Sequence, residues 1–300
     1  MMVSILPFHI QSRLQAICTD NMSSASSLAE ALLTVFTRIA ESGDAVSAAE
    51  IKAWITRVTK EVVHSHAAMA QLFNVSEDLV RHIERLNHVD QIRQEILSYC
   101  ATVRERLSDA IDKIAEFGAE KIQDRMTIAV HSRSAAVESL LLRAHTLGKQ
   151  FTVCCFESRP MMEGRALAAA LAHAGIHATL AIDAAMASMV PKTDLVLVGA
   201  DGVTADGIVN KIGTLALANA AKNSSIDCYS CFSIDKVFPS HRQPAIDRQM
   251  DPREVIDEVP PGVHVVNIYF DLTPFSLFRG YITEKGIVDE SFVHAVSDRA

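Results

Sequence analysis

The chain has 300 residues, with 28 Lys and Arg against 36 Asp and Glu, a formal charge of −8, and 49% of its residues are apolar. That balance is too apolar for a disordered chain, and it gives no general attraction to nucleic acid or to an anionic membrane. No apolar run approaches the roughly 18 to 20 residues of a membrane span, and the opening MMVSILPFHIQSRLQ lacks the basic-then-apolar order of a secretory leader. A cytoplasmic location is expected.

Residues 1–124 hold only two of the 12 Gly (Gly43, Gly118) and one of the nine Pro (Pro7). Long helices need few of the backbone angles those residues supply, so 1–124 reads as an all-helical domain and 125–300 as a turn-rich second domain. Ser47-Ala-Ala-Glu50 and Asn74-Val-Ser-Glu77 have capping-box spacing, which predicts helix starts at both. Beyond Glu50, Ile51, Trp54, Ile55, Val58 and Val62 recur at steps of three and four and give one apolar stripe. Gly43 and Gly118 fit helix C-terminal positions. His64 and His66 are two apart and point in different directions on a helix, so they do not form a metal pair.

From residue 125, short β-branched runs alternate with helical patterns. Met126–Val130, Phe151–Phe156, Ala178–Ile182, Asp194–Val198 and Ile226–Phe232 read as strands, with helices over Ala135–Leu147, Met161–Ala174, Ala184–Val190 and Ile212–Lys222. This alternation predicts an α/β domain with a parallel sheet covered by helices on both faces. Leu195-Val-Leu-Val198 is apolar on both pleat faces, as a buried parallel strand requires. Ligands of such sheets sit beyond the C-terminal strand ends, which directs attention to the strand-to-helix loops.

The stretch Gly199-Ala-Asp-Gly202-Val-Thr-Ala-Asp-Gly207 has neither dinucleotide-fingerprint nor P-loop spacing, so no nucleotide cofactor is implied. It reads as a glycine-rich turn, followed by Asn210-Lys211 directly before a helix. A lysine, an amide and free N–H groups at a helix N-terminus suit a phosphate, with a capped surface loop as the plainer alternative. Arg159, in Glu157-Ser-Arg-Pro160, and His131-Ser-Arg-Ser134 fall on the same sheet edge. Six cysteines, at 18, 100, 154, 155, 228 and 231, are expected reduced. Cys228 and Cys231 lie three apart in a strand and so on opposite faces, Cys154 and Cys155 read as core, and His173 and His177 are split between a helix end and a loop. No metal site is expected.

Taken together, His131-Ser-Arg-Ser134, Glu157-Ser-Arg-Pro160 with Glu163-Gly164-Arg165, Val198-Gly-Ala-Asp-Gly202, Asn210-Lys-Ile-Gly-Thr214, and Phe270-Asp-Leu-Thr-Pro274 with Ile282-Thr-Glu-Lys-Gly286 resemble one superfamily. It comprises the translation initiation factor 2B regulatory subunits and their enzymatic relatives, methylthioribose-1-phosphate isomerase and ribose-1,5-bisphosphate isomerase. The resemblance covers 125–290. It implies a Rossmann-like C-terminal domain behind the helical one, assembly as a homodimer or larger oligomer through the C-terminal domain, and a phosphorylated small-molecule ligand. Other 2B subunits and initiation factor 2 are the protein partners it brings into view.

The isomerases of that superfamily open an aldose 1-phosphate to a ketose with a cysteine and an aspartate as acid and base. Ser132 stands where they carry the cysteine, and an unassisted hydroxyl is a far poorer base than a thiolate. Their Arg-Gly-Ala phosphate element has no match in 1–124. Asp201 does stand at the aspartate position, where alpha-type subunits usually have glutamate. The reading preferred from sequence is a non-catalytic subunit that binds a sugar phosphate or nucleotide through His131, Ser132, Arg133, Arg159, Asp201, Asn210 and Lys211. The alternative is an isomerase with Asp201 as its acid or base.

Overall fold

A computed structural model describes residues 6–45 and 47–298 of the chain. The first five residues of the stretch read for a leader lie outside the described residues. Two compact units divide between Asp109 and Ala110.

The first unit contains α1 (Phe8–Thr19), α2 (Ala25–Glu41), α3 (Ala48–Ser65), α4 (Ala70–Ile83) and most of α5 (Val89–Ala119). Ser47 caps α3 as its spacing predicts, with its hydroxyl accepting from the Glu50 N–H at 3.2 Å. The stripe from Ile51 to Val62 is buried. The second capping-box expectation is corrected: Asn74 lies inside α4, which starts four residues earlier without a side-chain cap. The stripe Leu72, Val75, Leu79 and Ile83 runs through that position and is buried, so packing overrides the local cap signal. Ser76, within the same tetrapeptide, donates to the Leu72 carbonyl as a helix-interior serine. Gly43 follows the end of α2, and Gly118 occupies the last turn of α5.

The end of α5 belongs to the second unit, where Ile114, Ala119 and Ile122 enter the core formed with the first strands. Beyond it come β1 (Thr127–His131), α6 (Ala135–Thr146), β2 (Thr152–Phe156), α7 (Glu163–His173), β3 (His177–Ala181), α8 (Met186–Met189) and β4 (Leu195–Val198). Next are β5 (Gly202–Thr204), β6 (Gly207–Lys211), α9 (Thr214–Asn223), β7 (Cys228–Cys231), β8 (Phe270–Thr273), β9 (Gly280–Thr283), β10 (Gly286–Val288) and α10 (Glu290–Ser297).

Seven strands form one sheet in the order β10-β9-β7-β4-β1-β2-β3, parallel except for the β9–β10 hairpin. Each face packs against its own apolar cluster. Ile128, Val130, Val153, Cys155, Leu197 and Cys231 face one, and Ala129, Cys154, Val196, Val198 and Cys228 face the other. The two cysteines of Cys228-Tyr-Ser-Cys231 therefore sit on opposite faces, and His173 and His177 are separated at the end of α7 and the start of β3.

The stretch read as a glycine-rich loop is corrected to a hairpin. β5 and β6 pair antiparallel, and β8 completes a separate three-stranded sheet against β6. Asn210 and Lys211 are accordingly strand residues. The helix after them starts at Thr214, with Gly213 as its cap at a φ of 103°.

Candidate functional site

In the main sheet, β1 lies between β4 and β2, and the chain leaves it in opposite directions. That reversal opens a crevice at the C-terminal strand ends, the place where open α/β sheets take their ligands. The motif-bearing residues converge on this edge from the ends of β1, β2 and β4 and from the small sheet, and the turn after β7 adds Lys236.

His131 ends β1, and its buried ring lies 2.7 Å from the Ile212 carbonyl through Nε2. A carbonyl only accepts, so Nε2 carries the proton, and Nδ1 of the neutral ring faces the Ser158 Oγ at 3.2 Å. Burial pushes the imidazole below its usual pKa, against the opposing pull of the Ile212 carbonyl and Asp183. Ser132 follows in the left-handed region at a φ of 63° and donates its backbone N–H to the Ser158 Oγ at 2.7 Å. Among the described residues nothing hydrogen-bonds its hydroxyl. Arg133 turns outward to a bidentate pair with Glu138, at 2.8 and 3.0 Å.

The loop after β2 is held by Asp183, whose carboxylate accepts the N–H groups of Ser158 and Arg159 at 2.8 and 2.7 Å. The Arg159 guanidinium donates to the carbonyls of Glu254 and Val255. At the start of α7, a Cβ on Gly164 would lie 1.7 Å from the Phe156 carbonyl oxygen, so only glycine lets this helix rest on the end of β2.

Beyond β4, Asp201 is half-buried, and no described residue hydrogen-bonds its carboxylate. Burial raises its pKa, while Lys236 and Lys211 pull it back. Lys236, in the turn after β7, is buried, donates to the Ala200 carbonyl at 2.8 Å, and has its own pKa lowered by burial against the pull of Asp201.

Lys211 is also buried. Its ammonium pairs with Glu163 and lies 4.8 Å from the ring centroid of Tyr269. Asn210 donates to the Thr214 Oγ1 at 3.0 Å. Two of the N–H groups expected to be free at the start of α9 are taken: Asp271, reaching over from β8, accepts from Gly213 at 2.8 Å and from Leu215 at 3.1 Å. Burial lifts this carboxyl to a pKa of about 6, even though the N–H groups of Leu215 and Gly213 favour its ionised form.

The fold thus brings His131, Ser132, Asp201, Asn210 and Lys211 to one edge, with a protein partner on each of the three cations Arg133, Arg159 and Lys211. Sequence reasoning missed Ser158, Asp183, Lys236 and the roles of Glu163 and Asp271. Asp183 lies two residues past β3, so the strand-end rule that found Arg159 would have found it, whereas Lys236 lies five residues past β7, in the turn Ile234–Lys236. Among the described residues no group of three or more His, Cys, Asp or Glu is placed to hold a metal ion.

A family model described as the Initiation factor 2 subunit family matches residues 21–290. A ribose 1,5-bisphosphate isomerase of Archaeoglobus fulgidus is 33% identical over 69% of this chain and 68% of its own length. A translation initiation factor eIF-2B subunit 2-like protein of Pyrococcus horikoshii is 32% identical over 95% of this chain and 98% of its own. The crystal structure of the P. horikoshii OT3 translation initiation factor eIF-2B superposes with a TM-score of 0.82 at 29% identity, covering 94% of this chain and 98% of that one.

Proposed function

The chain belongs to the Initiation factor 2 subunit family, and from that premise we propose that it is a non-catalytic member that binds a phosphorylated small molecule at the strand ends and assembles with like subunits. The observation that carries the non-catalytic half is Ser132. Its hydroxyl has no base beside it, and both nitrogens of the adjacent His131 are turned to Ile212 and Ser158. A serine without a general base does not take a proton from a sugar carbon at neutral pH.

Binding rests on Asn210, Lys211, Arg159 and the polar end of β1, with Asp201 facing sugar hydroxyls. Arg159 reaches a ligand phosphate by exchanging its carbonyl partners for it, and Lys211 by donating a further N–H of its ammonium while it keeps Glu163. Assembly is supported by the near full-length match to a subunit-like relative.

A sugar phosphate at 100 times its dissociation constant adds about 2.7 kcal/mol to the native state. Thermal shift against aldose 1-phosphates, ketose phosphates and nucleoside monophosphates is expected to find such a ligand. If Arg159→Ala and Lys211→Ala both leave that shift intact, the site is misplaced.

One observation favours a second reading, an aldose-1-phosphate to ketose isomerase. Asp201 is a partly covered carboxyl with a pKa raised by burial, and no described residue hydrogen-bonds it, which leaves it open to a substrate hydroxyl. That reading predicts turnover that is lost in Asp201→Asn.

A further inference from the structure

Asp271 stands out as a carboxylate in a place suited to anions. It lies opposite Asn210 across the β6–β8 pairing, so the two side chains share a face of the small sheet, and it caps α9 through the N–H groups of Gly213 and Leu215. The same turn supplies the Ile212 carbonyl that holds His131, while the Ile212 N–H donates to the Tyr269 carbonyl at the entry to β8. Asp271 therefore fixes the Ile212-Gly213 turn that directly follows Asn210 and Lys211.

We propose that Asp271 is a positioning residue whose carboxylate takes up a proton when a phosphate monoester binds at Asn210 and Lys211. The inference rests on the ligand-binding reading above. A phosphate at Asn210 places a second anion beside a half-buried one, and a like charge at that range favours the protonated carboxyl. The first turn of α9 carries no acidic residue that would share the proton. β6 contributes the Lys211 cation, β8 the Thr273 hydroxyl 3.4 Å from Oδ1, and β1 the His131 ring, whose Nε2 is 2.9 Å from where a Cβ on Gly213 would stand. The strand-end loop before β5 adds Asp201. With its carboxyl already near pH 6, Asp271 titrates where a modest push is visible.

The test is calorimetric titration of the full chain with ribose 5-phosphate near pH 6.5, in two buffers of different ionisation enthalpy, which yields the protons exchanged on binding. A rise of about one pH unit in the midpoint takes Asp271 from roughly one quarter to three quarters protonated. Wild type is then expected to take up about half a proton more than Asp271→Asn, with any proton lost by the ligand common to both. Equal proton counts in the two proteins overturn the proposal and leave the binding reading standing. No binding heat from wild type with ribose 5-phosphate, AMP or inorganic phosphate overturns both. Should Asp271→Asn fail to fold, Thr273→Val, which removes a hydrogen bond to the ionised carboxyl, is expected to move the pH of maximal uptake upward. An unmoved maximum overturns the proposal.

Discussion

Replacing Gly164 with alanine tests whether the approach of α7 to the end of β2 organises the site. The added methyl would lie 1.7 Å from the Phe156 carbonyl oxygen, 2.8 Å from its carbon and 3.0 Å from the Ser158 Oγ. Backbone cannot rotate out of the way as a side-chain tip can, so the helix must retreat by more than an ångström. That retreat loosens Leu167 and Leu171, both fully buried, and disturbs the Ser158 contact with the Phe156 carbonyl. Overpacking of this kind costs about 1–3 kcal/mol, and a lost hydrogen bond adds about 1, which gives roughly 3 kcal/mol.

Gly118→Ala is the control. Its methyl would meet the Leu140 side chain, at 1.9 Å from Cδ1 and 2.5 Å from Cγ, whereas that of Gly164→Ala meets the backbone of another element. Leu140 can repack, so about 1–2 kcal/mol is expected. Urea denaturation reads both values, and at about 2–4 °C per kcal/mol the Gly164→Ala melting point falls by roughly 6–12 °C. Because Ser158 accepts the Ser132 N–H, Gly164→Ala is also expected to weaken the sugar-phosphate thermal shift. A Gly164→Ala protein within about 1 kcal/mol of wild type, or less affected than Gly118→Ala, would refute the reasoning.

Ser47→Ala is expected to lose about 1 kcal/mol because it removes a formed cap, whereas Asn74→Ala, inside α4, changes stability by less than about 0.5 in the same denaturation assay; equal losses would contradict the assignment. The Glu163–Lys211 pair is buried at both ends, with side-chain exposures of 10% and 6%. Either single neutralisation, Glu163→Gln or Lys211→Met, leaves an uncompensated charge worth about 3–5 kcal/mol, and a double-mutant cycle should return a coupling above about 2; a coupling near zero refutes the pairing. Asp271 has a folded pKa raised to about 6 from 3.8. The folded state holds this proton more tightly, so the stability it contributes is present at low pH and is lost as pH rises through about 6. Relative to Asp271→Asn, wild type should lose roughly 2–3 kcal/mol between about pH 4 and 7. Parallel stability curves for the two proteins would rule that out.

The parallel core was legible because its signals are local. Leu195-Val-Leu-Val198 had no polar face to confuse the period, and Ser47 stood ahead of an uninterrupted apolar stripe. The convergence of His131, Arg159 and Asp201 on one edge followed from the rule that successive parallel strands end on the same side, whereas Lys211 arrives there from the antiparallel β6. What stayed hidden was set by distant parts of the chain. The β5–β6 hairpin is three and five residues long, punctuated by glycines, and completed by a strand some 60 residues later. The capping carboxylate of α9 comes from Asp271, 56 residues beyond Leu215, and Lys211 is neutralised by Glu163 from another helix. Nothing near Asn210 announces either. Asn74 shows the opposite failure, a local cap signal outvoted by a buried stripe.

The account turns on Ser132 lacking a base while the strand ends still hold a phosphorylated ligand. Incubating the protein with ribose 1,5-bisphosphate and with methylthioribose 1-phosphate, and following both phosphorus and proton NMR over time, measures binding and turnover in one sample. The account predicts ligand signals broadened or shifted by binding, with no ketose appearing. Ketose that accumulates with wild type and is absent with Asp201→Asn would contradict it.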